Sequence, residues 1–308
     1  MKLTTTFVVS VFCLLTSAIA AAQSGVTPWV DIEIDNGLIF IDCEINGIKG
    51  KAMLDTGAEI HGINPAFLKK HDLKFKRGRK VKISGVFGVE DRKSYTKVPV
   101  KMFGVEVNLR DPVETNLGES GEVQMLIGAG FFHQFVVQFD YPNSRMRLYT
   151  RDAVNMKKYA NIKTRKEDRF GAPLVKVNMN DEKDLWLTMD TGSNGGVLTE
   201  RLIAEKAGWL DDYPGREEVH YGVNDSEQMW TFNVPKMTFG PFDLENAIVT
   251  VPAKGKKLEL FKKEKSLGTL IAHGDSKSQG LLGFDVLKHF VITIDYRTGK
   301  VNINVPEA

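Results

Sequence analysis

Two stretches of this chain end an apolar run in the same three residues. Ala52-Met53-Leu54 leads into Asp55-Thr56-Gly57-Ala58, and Leu187-Thr188-Met189 leads into Asp190-Thr191-Gly192-Ser193. A strand that stops in such a turn carries its carboxylate at the tip. The threonine hydroxyl can bond a facing backbone, and glycine, lacking Cβ, lets a second loop come close. Two loops of this kind set face to face would hold two carboxylates around one water. Like charges that near cannot both ionise readily, so the pair suits acid–base activation of the water.

The elements that must position these loops recur in the same order in both halves. Phe40 to Asn64 aligns without a gap on Val175 to Thr199, displaced by 135 residues like the two aspartates. Val98-Pro99 and Phe103-Gly104 match Val234-Pro235 and Phe239-Gly240, Gly128 matches Gly283, and Asp140 matches Asp295. A repeat this long is a duplicated domain rather than a solenoid unit. Within the first half, Trp29 to Ile45 reads as strand, Asn46-Gly47 as a hairpin turn, and Asn64-Pro65 as the start of a short helix reaching about His71. Met125-Leu126-Ile127-Gly128 is a buried apolar run, and Phe135 to Tyr149 a closing hairpin around Tyr141-Pro142-Asn143-Ser144. Many short strands with glycine-rich turns and few helices predict a mostly β protein.

These residues resemble the retropepsin-like aspartic proteases, here as two fused copies, and more distantly the two-lobed pepsins. The resemblance spans nearly all of the chain after its first two dozen residues. It implies two β-barrel lobes, 28–150 and 172–308, with an active cleft between them and a polar linker over 151–171. It implies that Asp55 and Asp190 are catalytic, one ionised as general base and one protonated as donor to the scissile carbonyl. Thr56 and Thr191 would tie the loops together, with Gly57 and Gly192 between them. At the next position a hydroxyl can bond the neighbouring carboxylate in the family; Ser193 has one and Ala58 does not, which favours Asp190 as the ionised member. Ser84-Gly85-Val86-Phe87-Gly88 resembles the flap that folds over bound peptide, and Tyr221-Gly222, continuing to Asp225, holds the equivalent place. As bare sequence, both are also plain hairpin tips. The Met125 to Gly128 run and Gly280-Leu281-Leu282-Gly283 match the strand that buttresses the catalytic loop.

The ends and the composition bound the setting. Lys2, an apolar Phe7 to Leu15 and the small residues Ala18 to Ala22 read as an export signal over 1–22, predicting a secreted or periplasmic protein. Its apolar core is shorter than the ~20 residues that span a bilayer. Beyond it one cysteine remains, Cys43, which alternates with Ile39, Ile41 and Ile45 as a buried hydrophobe does. A net charge of +2 in 308 residues gives no pull toward nucleic acid or anionic membrane. The six histidines lack metal-ligand spacing, so no metal or cofactor is expected. A net insertion of 19 residues between about Val251 and Gln279 carries a run of lysines and reads as a solvated loop.

The expected function is therefore peptide-bond hydrolysis on a peptide or protein substrate, by a monomer that acts as an internal pseudo-dimer. Two other readings stay open on sequence alone. One is a peptide-binding module that kept the cleft and lost turnover. The other is a homodimer in which each half pairs with its twin and forms a separate site.

Overall fold

Asn46 and Gly47, both at positive φ (53° and 79°), close the hairpin that joins strands Leu38–Ile45 and Ile48–Leu54. The computed structural model describes residues 25–166, 171–258 and 278–306. The expected export signal and most of the lysine-rich insertion lie outside the described residues. Along Leu38–Ile45 the alternation places Ile39, Ile41, Cys43 and Ile45 in the core. Burying each isoleucine contributes about 1.5–3 kcal/mol. Cys43 is the small hydrophobe its neighbours imply: its Sγ donates to Gln124 Oε1 at 3.4 Å, and burial pushes the thiol up to about 12.

The fold is mostly β, in two barrel-like lobes. The first is a ten-stranded sheet in which Val123–Ile127 lies between Ile48–Leu54 and Gly62–Ile63, parallel to the former and antiparallel to the latter. The second is an eight-stranded sheet with the same arrangement. Gly280–Leu282 lies between Lys183–Met189 and Val197–Thr199, again parallel and antiparallel in turn. A further pairing of Pro173–Met179 with Ser226–Phe239 closes this sheet on itself. The helix expected after Asn64 spans Pro65–Lys70, and Asn64 caps it by accepting from the Ala66 N–H at 3.0 Å.

Two features go beyond the sequence reading. The closing hairpins of the two halves join into a third sheet of five strands, where Val136–Asp140 pairs antiparallel with Val291–Asp295. Val137, Phe139, Ile292 and Ile294 are all buried in it. The stretch expected as a surface linker also carries structure. Met156 and Ile162 are buried, and Thr164–Lys166 adds a strand to the second lobe beside Pro173–Met179. Its polar composition hid those two anchors. Among the described residues no helix is long and apolar enough to cross a membrane.

Candidate active site

Each aspartate begins where its strand ends, and the buttressing strand fixes it there. The Asp55 N–H donates to Ile127 O and the Asp190 N–H to Leu282 O, both at 3.0 Å. One residue on, the loops lock across the lobe boundary. Thr56 Oγ1 donates to Met189 O at 2.9 Å and accepts from the Thr191 N–H at 2.9 Å. Thr191 Oγ1 donates to Leu54 O at 2.7 Å and accepts from the Thr56 N–H at 3.0 Å. Four hydrogen bonds, all buried, hold the loops in a reciprocal grip.

The glycines show how close the approach is. A Cβ on Gly57 would fall 2.5 Å from the Asp190 carboxylate, and one on Gly192 would fall 2.5 Å from that of Asp55. No side chain fits at either position. The two carboxyls therefore face one another, 9% and 7% exposed. Asp55 Oδ1 accepts from the N–H groups of Gly57 (2.8 Å) and Ala58 (2.9 Å), and Asp190 Oδ1 from Gly192 N–H (2.9 Å). Burial first, then the neighbouring Asp190 charge and the hydrogen bond to it, push Asp55 well above the usual carboxylate range. Burial also raises Asp190, against the opposing pull of the Gly192 N–H, the Asp55 carboxyl and the Gly57 N–H.

Ser193 does not take the position its hydroxyl suggests. No hydrogen bond joins its Oγ to Asp190; the Oγ faces Gly283, 2.7 Å from where a Cβ there would stand, and its N–H donates to Asp190 O at 3.2 Å. The asymmetry between the loops lies instead in the backbone, since the Ala58 N–H reaches its carboxylate and the Ser193 N–H does not.

The two expected flaps are hairpin tips that touch. Gly85 N–H donates to Gly88 O at 3.1 Å, and Gly222 N–H to Asp225 O at 2.8 Å. Asn224 Nδ2 donates to Ile83 O and Gly88 O, both at 3.0 Å, and its Oδ1 accepts from Arg92 at 2.7 Å. Phe87 is buried against Met229 and Leu258 of the second lobe, with Val86 and Leu198 alongside. Ser84 ends the strand Arg77–Ser84. Within the tips the glycines meet different constraints. Gly88, not Gly85, holds the positive φ, at 71°. Gly85 is small because a Cβ there would fall 2.9 Å from Val223 Cγ2. Tyr221 stands in solvent, 84% exposed, while Gly222 lies against the Phe87 ring.

Sequence reasoning missed three residues here. Tyr296 follows the matched Asp295; its hydroxyl donates to Thr56 O, and its ring stacks on Phe132 at 5.4 Å. Burial, then the charges of Asp55 and Asp190, hold its phenol well above the usual range. Tyr141, its counterpart in the repeat, is raised by burial and then by Asp190. The repeat displacement of 155 residues that pairs Asp140 with Asp295 also pairs these tyrosines, and was the available signal. His61, six residues after Asp55, accepts from the Gly128 N–H through Nδ1 at 3.2 Å. Among the described residues no cluster of three or more His, Cys, Asp or Glu is arranged to hold a metal.

Comparison with known families agrees with the duplicated layout. Residues 41–134 match the family described as gag-polyprotein putative aspartyl protease, and residues 175–286 match the family described as aspartyl protease. Between them the matches cover about two thirds of the chain, and each contains one Asp-Thr-Gly loop. No curated protein matches the sequence.

Proposed function

Because the chain belongs to the retropepsin-like aspartic proteases, we propose that its halves form one endopeptidase in which Asp55 and Asp190 share a single water. The observation that carries this reading is the reciprocal contact of each loop glycine with the opposite carboxylate. It supports one internal site over two sites made by twin chains. Asp190 is the ionised member and takes a proton from the water as its oxygen attacks the scissile carbonyl carbon. Asp55 gives its own proton to the carbonyl oxygen. Return of that proton to Asp55, with delivery of the Asp190 proton to the amide nitrogen, lets the C–N bond break and frees acid and amine. Burial raises both carboxyls, and the hydrogen bond between them lets the pair hold a single proton, which this division of roles requires.

The substrate is an extended peptide, held by backbone pairing beneath the two hairpin tips. The Phe87 cluster reaches Leu198, on the strand that follows the Asp190 loop, which supports a role for the tips in covering the site. Export through residues 1–22 to the periplasm or medium, and action as a monomer, belong to the same reading. The test is cleavage of an unbiased peptide library by the purified chain, with and without pepstatin. Inhibited cleavage that vanishes in both Asp55→Asn and Asp190→Asn is expected. Binding without cleavage would favour the peptide-binding module, and survival of about half the activity in either variant would favour twin sites.

A further inference from the structure

Three consecutive residues of the buttress reach into the Asp55 loop. Ile127 O accepts from the Asp55 N–H (3.0 Å), Gly128 N–H donates to His61 Nδ1 (3.2 Å), and Ala129 N–H donates to Ala58 O (2.8 Å). The second half repeats the pattern around Asp190, with one exchange. Leu282 O accepts from the Asp190 N–H (3.0 Å), Gly283 N–H donates to Gly196 O (2.9 Å), and Phe284 N–H donates to Ser193 O (2.9 Å). Positions 61 and 196 correspond under the 135-residue displacement of the repeat. The same place supplies the same acceptor, as a backbone carbonyl in one lobe and an imidazole nitrogen in the other. A carbonyl does not titrate in water, and an imidazole does.

The surroundings are built for the ring. His61 is 9% exposed, and a Cβ on Gly130 would fall 2.8 Å from its Nε2. Gly130 thus leaves room that its counterpart in the repeat, Asp285, would not. With Nδ1 accepting, the proton of the neutral ring sits on Nε2. We propose that His61 is a positioning residue for the catalytic loop: neutral, it holds Gly128 and through it Asp55, and on protonation it turns an acceptor into a donor and lets the loop go.

A second hydrogen at Nδ1 would place two donors head to head at the present Gly128 contact. The charged groups on the elements around the ring do not offset that. The helix Ala129–Phe132 has no charged side chain. On the strand Val113–Glu114, Glu114 accepts from the Tyr95 hydroxyl at 2.7 Å and pairs with Lys93 at 3.6 Å. On the loop itself Glu59 is exposed and Asp55 is engaged by Gly57 and Ala58. Burial alone lowers His61, from 6.5 to about 4. The unfolded chain therefore takes up the proton first, and the contribution of His61 to stability falls as pH drops from 6.5 to about 4, then levels off below.

This inference rests on the peptidase reading, and the experiment separates the two. His61→Asn offers a non-titrating oxygen near the place of Nδ1, and His61→Leu offers no acceptor. The measurements are peptide turnover and urea stability from pH 3 to 8, with amide resonances of Gly128 and Asp55 followed by nuclear magnetic resonance. His61→Leu is expected to lose roughly tenfold or more in turnover at neutral pH while staying folded, and His61→Asn to rescue it. On the acid side the parent loses activity with two protons where His61→Asn loses it with one, so the variant's limb is shallower or displaced to lower pH. Its stability relative to the parent rises as pH drops from 6.5 to about 4, because the cost of protonating the buried ring is gone. In the parent, both amide resonances move with the imidazole titration whether or not any peptide is cut. Parent-like turnover in His61→Leu, an unchanged acid limb in His61→Asn, or amides that ignore the titration would overturn the proposal. Absence of cleavage with the amides moving would sink the peptidase reading alone.

Discussion

At the scale of single residues, the Asp-Thr-Gly repeats were legible because each of the three residue types has one task that no other type performs as well. What the motif did not disclose is where the loop asymmetry resides. A hydroxyl at 193 and a methyl at 58 pointed to the side chains, yet the carboxylates are tuned by backbone N–H groups and by burial. Side-chain type is written in a sequence, whereas the aim of an N–H is set by the turn. Ser193→Ala is accordingly expected to leave both limbs of the pH–activity profile in place, and a shift of either limb would put the hydroxyl back in the site. The aspartates carry a stability signature as well. A carboxyl raised on folding holds its proton more tightly than the unfolded chain does. Native stability therefore falls as pH rises from the ordinary value of 3.8 through the raised one. Asp55→Asn keeps the shape and removes the ionisation. It should cost at least ~10²–10⁴-fold in turnover yet unfold at higher urea than the parent at neutral pH. That advantage should shrink with acid and vanish below about the ordinary carboxylate value. A variant less stable than the parent at pH 7 would contradict burial as the dominant cause.

At the scale of elements, period-2 alternation and turn chemistry located the Asn46-Gly47 hairpin and the Asn64-capped helix, since both are decided within a few residues. The glycines of the hairpin tips answer to two different constraints. A positive φ is a local property, and Gly88 has it; Gly85 is small because Val223, 138 residues away, packs against it. Contacts between distant segments leave no periodic trace. Gly85→Val should therefore act by wedging the tips apart at Val223 and Asn224. Turnover is expected to drop by tenfold or more through loss of closure, while the urea midpoint changes little, because residue 85 lies in the turn beyond the ends of Arg77–Ser84 and Val89–Tyr95. Equal proportional losses of stability and turnover would mean that the tips are part of the folding core and not a cover.

At the scale of the whole molecule, the repeat announced two lobes, but not the five-stranded sheet that both of them build. Each half's closing hairpin looked complete, and nothing in Phe135 to Tyr149 says that its outer edge is buried against Val291–Asp295. At the centre of that seam Gln138 Nε2 donates to Thr293 Oγ1 at 2.7 Å, with both residues buried. The Gln138 Oε1 accepts from Arg147 (2.7 Å) and from the Tyr149 hydroxyl (3.0 Å), so the amide is committed on both ends. Thr293→Val preserves volume and removes the acceptor, which strands a buried N–H and should cost about 1–3 kcal/mol. Because the bond belongs to the shared sheet, the loss should fall on both lobes at once. Three of the four tryptophans, Trp186, Trp209 and Trp230, sit in the second lobe, so their fluorescence follows that lobe while far-ultraviolet circular dichroism follows all the strands. In parent and variant alike the two signals should trace one coincident urea transition, displaced to lower urea in Thr293→Val. If the fluorescence transition separated from the dichroism, or moved alone, the lobes would be folding independently, and the alignment of Asp55 with Asp190 would depend on the threonine grip without help from the sheet.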